Sequence, residues 1–106
     1  MDIGDIRKAN KAAGHHWFDP DSMRFFRSRI GSKVYEGPGG IYFVSSEQFV
    51  GSDWIAAPRR YTVRKFDPTT GGVDTAGESN KLSRRAALAC AKLAAAAEGS
   101  GWPNVR

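Results

Sequence analysis

An alanine-rich stretch near the carboxyl end sets the tightest limit on the fold. Residues 83–97 (SRRAALACAKLAAAA) consist mainly of alanine, leucine and lysine, which favour an α-helix. Ser83 is suited to the N-cap, and Gly99 is expected to follow the end of the helix. Small residues on one face predict close packing against a sheet. We expect the buried stripe to contain Leu82, Ala86, Ala89, Leu93 and Ala97, with Leu88, Ala91 and Ala95 beside it.

Runs of β-branched and aromatic residues indicate an antiparallel meander ahead of this helix. The connection Gly37–Gly40 (GPGG) has hairpin chemistry. It lacks the Lys-Ser/Thr pair of a phosphate-binding loop, so a turn is favoured over a phosphate cradle. Residues 47–57 are expected to form a loop. Strands are predicted over residues 33–36, 41–45 and 60–66, with a fourth strand over 73–76.

Two helices are predicted before the strands. The first covers residues 2–13, with Asp2 as its cap. The second begins at Asp19, with Pro20 at the first helical position, and is expected to continue through Ile30 and stop at Gly31.

This order of elements predicts an α+β fold in two layers: N-terminal helices, an antiparallel meander of three to four strands, and a C-terminal Ala-rich helix packed on the sheet. With 106 residues, the chain fits one domain. We expect that domain to cover residues 1–98 and residues 99–106 to form a flexible tail. A shallow surface site is expected, because so small a core leaves little volume for a deep cavity.

The sequence indicates a cytoplasmic protein that does not enter a membrane. Cys90 is the single cysteine, so no internal disulfide can form, as is usual in reducing compartments. Residues 1–14 lack the apolar region of a secretory signal. The longest apolar stretch, residues 86–97, is too short to cross a bilayer and contains a lysine.

Signals for catalysis are weak, and we expect no enzyme activity, no cofactor and no metal. No candidate nucleophile lies on a recognisable strand–turn–helix elbow. His15 and His16 are adjacent but lack Cys, Asp or Glu at ligand spacing, so exposed histidines are favoured over a metal site. Cys90 lies within the alanine-rich helix, where a small buried thiol is the simpler interpretation.

Positive charge is the most informative functional feature, with a net charge of +5 and a pI of about 9.7. Cations at the start of the last helix oppose its macrodipole, which suggests that an anion docks there. The alternatives are that Glu78 neutralises this site or that the arginines lie in solvent. Strand alternation places Tyr61 with Val63 in the core and Arg64 outward. The basic clusters are Arg24, Arg27 and Arg29; Arg59, Arg60, Arg64 and Lys65; and Lys81, Arg84 and Arg85.

Helix, strands and a final helix that opens with basic residues (KLSRRAALACAKLAAAA, residues 81–97) resemble the double-stranded-RNA-binding domain. That family uses positive charge at this helix start to contact phosphates across a groove. The resemblance implies that Lys81, Arg84 and Arg85 contact phosphates.

Three other stretches resemble small uncharacterised proteins of phages and mobile elements: FDPDSMRFFRSRI (18–30), GGIYFVSSEQF (39–49) and RRYTVRKFDPTTGGVDTAGE (59–78). In that genomic setting, small non-enzymatic proteins often inhibit host defence complexes, anti-CRISPR proteins included. The resemblance implies such a setting in the host cytoplasm and assigns no role to any residue.

Three hypotheses follow. The preferred one is a phage-type accessory protein that binds a host nucleic-acid-handling or defence complex. Its proposed basic surface consists of Arg59, Arg60, Arg64, Lys81, Arg84 and Arg85. The second is a module that binds nucleic acid directly through the same residues. The third is a structural or dimerising phage protein with Trp54 and Trp102 in an apolar contact.

Overall fold

A computed structural model of the chain describes residues 1–25, 27–50, 54–55, 57–76 and 83–97. The fold is α+β, as predicted, with a four-stranded antiparallel sheet of order β1-β2-β3-β4. None of the helices in these ranges is long and apolar enough to cross a membrane. The predicted tail lies outside the described residues. The elements are α1 (Ile3–Ala12), α2 (Pro20–Phe25), β1 (Arg29–Gly37), β2 (Gly40–Glu47), β3 (Arg60–Phe66), β4 (Val73–Thr75) and α3 (Arg84–Ala96).

Helix α3 packs on one face of the sheet against β1, β2 and β3. Ser83 caps it as predicted, and its hydroxyl accepts a hydrogen bond from the Ala86 amide at 3.3 Å. The predicted stripe was wrong at Ala86, Ala89 and Leu93, which are exposed, Leu93 to 64%. The neighbouring Ala91 and Ala95 are buried as predicted, and Leu82 lies outside the described residues. The helix buries the residues at spacing i, i+4, i+7 and i+8, which present only methyl groups: Ala87, Ala91, Ala94 and Ala95.

The hairpin between β1 and β2 explains why α3 presents methyl groups. Gly37 pairs with Gly40, so Pro38 and Gly39 form the predicted turn. The Gly39 amide donates to the Ala95 carbonyl oxygen at 2.9 Å, and a Cβ at Gly39 would overlap the Ala94 carbonyl oxygen. Backbone therefore meets backbone at this end of α3, an approach that only glycine permits.

The opposite face of the sheet is covered by the N-terminal segment, so the two-layer expectation was incomplete. Because side chains alternate along β2, Phe43 points away from α3. Phe43 and Phe66 pack against Ile6 of α1 and against Phe18. The Trp17 ring meets Phe43 edge-on, with centroids 5.8 Å apart. The core therefore lies on both sides of the sheet.

Helix α1 is fixed at both ends. Asp2 and Asp5 form a capping box at its start, which confirms Asp2 as the cap. At its other end the buried Asn10 amide donates to the Gly71 carbonyl oxygen at 2.8 Å. His15 contacts the Thr70 carbonyl oxygen at 3.1 Å. These bonds dock α1 on the turn between β3 and β4.

The predicted second helix ends early, at Phe25 rather than Ile30. The Ser28 amide bonds to the Met23 carbonyl oxygen, and Arg27 has a positive φ of 50°, which ends the helical path. Arg29 pairs with Ser46 in strand β2. Pairing with a neighbouring strand therefore overrides the helical pattern of residues 26–30, of which Phe26 lies outside the described part of the chain.

Candidate functional site

Two cavities on opposite sides of the sheet contain four arginines of the proposed basic surface. The first, here called the arginine cavity, has a volume of 360 Å³ and lies between the strands and the start of α3. The second, here called the cleft, has a volume of 510 Å³ and lies between the strands and the N-terminal segment. Strands β2 and β3 form a wall of both.

Three arginines line the arginine cavity: Arg29, Arg59 and Arg84. Arg29 and Ser46 are register partners, which places them on the α3 side of the sheet. The Arg59 guanidinium is fixed, because its Nη1 donates to Ser46 Oγ and to the Arg27 carbonyl oxygen, both at 2.9 Å. Arg84 is the first residue of α3, so its positive charge lies at the positive end of the helix dipole.

The arginine cavity is strongly cationic. Among the residues that the structure describes, its lining contains no carboxylate. Within the residues that the structure describes, the ion pairs are Met1 amine–Glu36, Arg24–Asp21 and Arg64–Glu47, and none involves the three cavity arginines. Glu78, which the sequence offered as a neutralising group, lies outside the described residues. Three formal positive charges thus surround one 360 Å³ space.

The cleft contains a different kind of arginine. The Arg64 and Glu47 side chains are each 15% exposed, with Nη2 and Oε2 3.6 Å apart. Arg64 Nε donates to Ser45 Oγ at 2.9 Å, and Nη1 bonds to Thr75 Oγ1. The Arg64 Cζ lies 5.1 Å from the Trp17 ring centroid, a cation–π contact. Burial lowers the pKa of the Arg64 guanidinium, and the Glu47 carboxylate opposes that shift.

The structure divides the six predicted surface residues. Arg59 and Arg84 line the arginine cavity, whereas Arg60 and Arg64 line the cleft on the other face. Arg85 is exposed on α3 and lines neither of these cavities, and Lys81 lies outside the described residues. The period-two alternation of β3 separates these groups.

Strand alternation was interpreted correctly for one side chain and incompletely for another. Tyr61 packs with Val63 against α3, as expected. Arg64 does point to the other face, but it is enclosed there because the N-terminal segment covers it.

Sequence reasoning grouped Arg29 with Arg24 and Arg27 but left it out of the proposed basic surface, and it assigned no site role to Glu47 or Trp17. Arg29 was assigned to a helix, although the β-branched Ile30 and Val34 that follow it could have indicated a strand. Glu47 and Trp17 were assigned to a loop and a helix entry. Their partnership with Arg64 depends on contacts between distant segments, which leave no local pattern.

Three further features that the sequence singled out are a possible metal site, Cys90 and two tryptophans. Among the described residues there is no group of three or more His, Cys, Asp or Glu side chains that could hold a metal. Cys90 is half-buried and packs against the α3-side core. Trp54 is 87% exposed, while Trp102 lies outside the described part of the chain.

No curated protein matches the chain. No solved structure matches it. A family of unknown function, DUF7447, matches residues 2–92, a range that includes the start of α3 and every residue of both cavities. The chain belongs to the DUF7447 family.

Proposed function

We propose that this protein is a non-enzymatic accessory protein that binds an anionic surface of a host nucleic-acid-handling or defence complex, in the manner of an anti-CRISPR protein. One observation carries the proposal: three arginines line a single cavity, and the described residues of its lining include no carboxylate. The resemblance of the sequence to small phage proteins favours a defence complex in the host cytoplasm as the partner.

The electrostatics of the arginine cavity favour an anion. Like charges gathered in one cavity repel each other, and the positive end of α3 adds to the potential. A carboxylate or phosphate that enters relieves this repulsion. Guanidinium groups bind both anions through paired N–H donors. The fixed Arg59 side chain reduces the entropy lost on binding, because its orientation is already set by Ser46 and the Arg27 carbonyl.

Exposed apolar side chains favour a protein as the partner. Trp54 is 87% exposed and Ile55 is 69% exposed, and both precede Arg59 by a few residues. Large aromatic and aliphatic groups near arginines are typical of protein interfaces, where such residues supply most of the binding energy. Phosphate recognition alone requires no exposed tryptophan.

Capture from a nuclease-treated host lysate tests this function. Arg84→Glu reverses a cavity charge, and Lys92→Glu is the matched control, since it makes the same charge change at another exposed position of α3. We expect the wild type and K92E to capture similar amounts of the same complex. R84E is expected to capture at least about tenfold less of it. Equal capture by R84E and wild type, or equal loss in both variants, would contradict the proposal.

Direct nucleic-acid binding is the second candidate, because the same three arginines could neutralise phosphates. Fluorescence anisotropy with a short labelled duplex and a matching single strand, measured at increasing salt, separates the two candidates. Direct binding predicts that log affinity falls linearly with log salt and that R84E reduces the slope. Absence of affinity for either strand form at low salt eliminates this candidate and leaves the protein partner.

A further inference from the structure

We infer that the cleft on the N-terminal side of the sheet is a second binding site, for a small acid that carries one carboxylate on an aromatic or aliphatic body. This site goes beyond the proposed function, since it uses the opposite face of the sheet and does not involve Arg29, Arg59 or Arg84.

The cleft has the size and the walls of a ligand site. Its volume of 510 Å³ falls within the range of roughly 300–1,000 Å³ that is typical of small-molecule pockets. Trp17, Met23 and Phe49 supply apolar walls, and Arg60 and Thr62 supply polar ones. The Trp17 ring is held in place by its edge-on contact with Phe43 and by Arg64 above it. An apolar body can therefore pack on a wall that is already ordered.

The charges of the cleft leave one cation available. Arg64 is engaged by Glu47, Ser45 and Thr75, and the Thr62 hydroxyl also lies 3.5 Å from Glu47 Oε1. Arg60 is the register partner of Glu47, yet within the described residues its guanidinium takes part in no ion pair. The described lining therefore has two arginines, one glutamate and His16, a formal charge of +1 with the histidine counted as neutral.

This balance selects a monoanion. The Glu47 carboxylate, 15% exposed and part of the lining, repels a second negative charge that enters the cleft. A phosphate dianion or a polynucleotide is disfavoured for that reason. A ligand whose carboxylate lies beside Arg60 and whose apolar body packs on Trp17 and Met23 contacts both the polar and the apolar walls of the cleft.

Backbone-amide NMR of the whole chain with indoleacetate and with neutral indoleacetamide tests the inference. We expect indoleacetate to bind in saturable fashion and to shift the resonances of Trp17, Thr62 and their neighbours. The amide is expected to bind about tenfold more weakly, because it lacks the charge that pairs with Arg60. Equal shifts from the acid and the amide, or shifts that map outside the cleft, would overturn the inference. The comparison uses unaltered protein, so it does not depend on a variant that folds.

Arg60→Gln is expected to weaken indoleacetate about tenfold while leaving the weak binding of the amide unchanged. Arg24→Gln is the control, because Arg24 lies on the neighbouring helix α2, is 76% exposed and does not line the cleft. If R60Q binds indoleacetate with full affinity, the assignment of Arg60 as the partner of the carboxylate is wrong. Arg84→Glu should keep that affinity, so failure of this site and failure of the proposed function give different results.

A second pair of ligands identifies the natural source of the carboxylate. N-acetyltryptophan mimics the carboxyl end of a peptide, and N-acetyltryptophan amide mimics an internal tryptophan. Tighter binding of N-acetyltryptophan than of indoleacetate indicates a peptide terminus, whereas the reverse order indicates a free acid. If neither acid binds better than its amide, the carboxylate preference is refuted.

Discussion

The arginine cavity and the cleft show how the same residue type produces two different electrostatic environments in one small domain. Both contain arginines, and both use β2 and β3 as a wall. Among the described residues of the arginine cavity there is no carboxylate, so the charges of its arginines add together. In the cleft, Glu47 neutralises Arg64 beneath the N-terminal segment, and of the arginines described there Arg60 is left without a carboxylate partner. The electrostatic environment of an arginine in this domain therefore depends on which side of the sheet it faces, and the number of arginines in the chain does not determine it.

The two sides also differ in how they are packed. On the α3 side, methyl groups allow the helix to approach the hairpin backbone so closely that a Cβ at Gly39 would overlap it. On the N-terminal side, aromatic rings such as Phe18 and Phe43 separate the layers. Bulky rings leave gaps at their margins, and the larger of the two cavities lies on that side.

The largest effect is expected from Gly39→Ala, which tests the packing of the α3 side. The added Cβ overlaps the carbonyl oxygens of Ala94 and Ala97, and backbone atoms there cannot move independently of α3. We expect a loss of about 3 kcal/mol in the free energy of unfolding, measured by urea denaturation. Gly4→Ala in α1 is the control, since its Cβ would lie 3.2 Å from Oδ1 of the capping Asp2 side chain and would meet no backbone atom. Similar free energies of unfolding for G39A and G4A would show that the hairpin backbone is not packed tightly against α3.

Glu47→Gln is expected to have an intermediate effect, and it tests whether Glu47 distinguishes the cleft from the arginine cavity. Arg64 would keep Ser45 and Thr75 as acceptors but lose its carboxylate. We expect the free energy of unfolding to fall by about 1–2 kcal/mol. Binding of indoleacetate should tighten, because the cleft becomes more positive. Glu36→Gln is the control for an exposed pair, because Glu36 pairs with the Met1 amine at a strand position that is open to solvent. Unchanged stability in E47Q would show that the buried pair contributes nothing net.

The smallest effect concerns the turn that docks α1. Asp67 Oδ1 accepts a hydrogen bond from the Thr69 amide at 2.8 Å, and this bond lowers the pKa of Asp67 in the folded protein. A lowered folded-state pKa stabilises the protein above the usual carboxyl range, and that contribution is lost as the pH falls through the folded-state value. We expect Asp67→Asn to show a shallower loss of stability in urea titrations below about pH 4. Identical pH profiles for the two proteins would refute the role of this carboxylate.

The sequence correctly predicted the elements that are determined by a few neighbouring residues. Strand β3 has the predicted bounds, and Ser83 and Asp2 cap their helices, because a cap or an alternating strand is defined by a few neighbouring residues. The end of α2 was wrong because Arg29 pairs with Ser46, a residue distant in sequence.

Contacts between distant segments also limited prediction of the candidate sites. The buried face of α3 was predicted only in part, at Ala91 and Ala95, because it is set by the approach of the hairpin backbone. Arg59 and Arg84 do share a cavity, and both were singled out from charge alone. Their partner Arg29, and the Glu47–Arg64 pair on the other face, required knowledge of which strands are adjacent.

Two consecutive serines in β2 connect the opposite sides of the sheet. The Ser45 hydroxyl accepts a bond from Arg64, and the Ser46 hydroxyl accepts one from Arg59. A single peptide unit therefore separates the anchoring points of two guanidinium groups that belong to different cavities. Any displacement of this peptide unit would therefore move both hydroxyl acceptors at once.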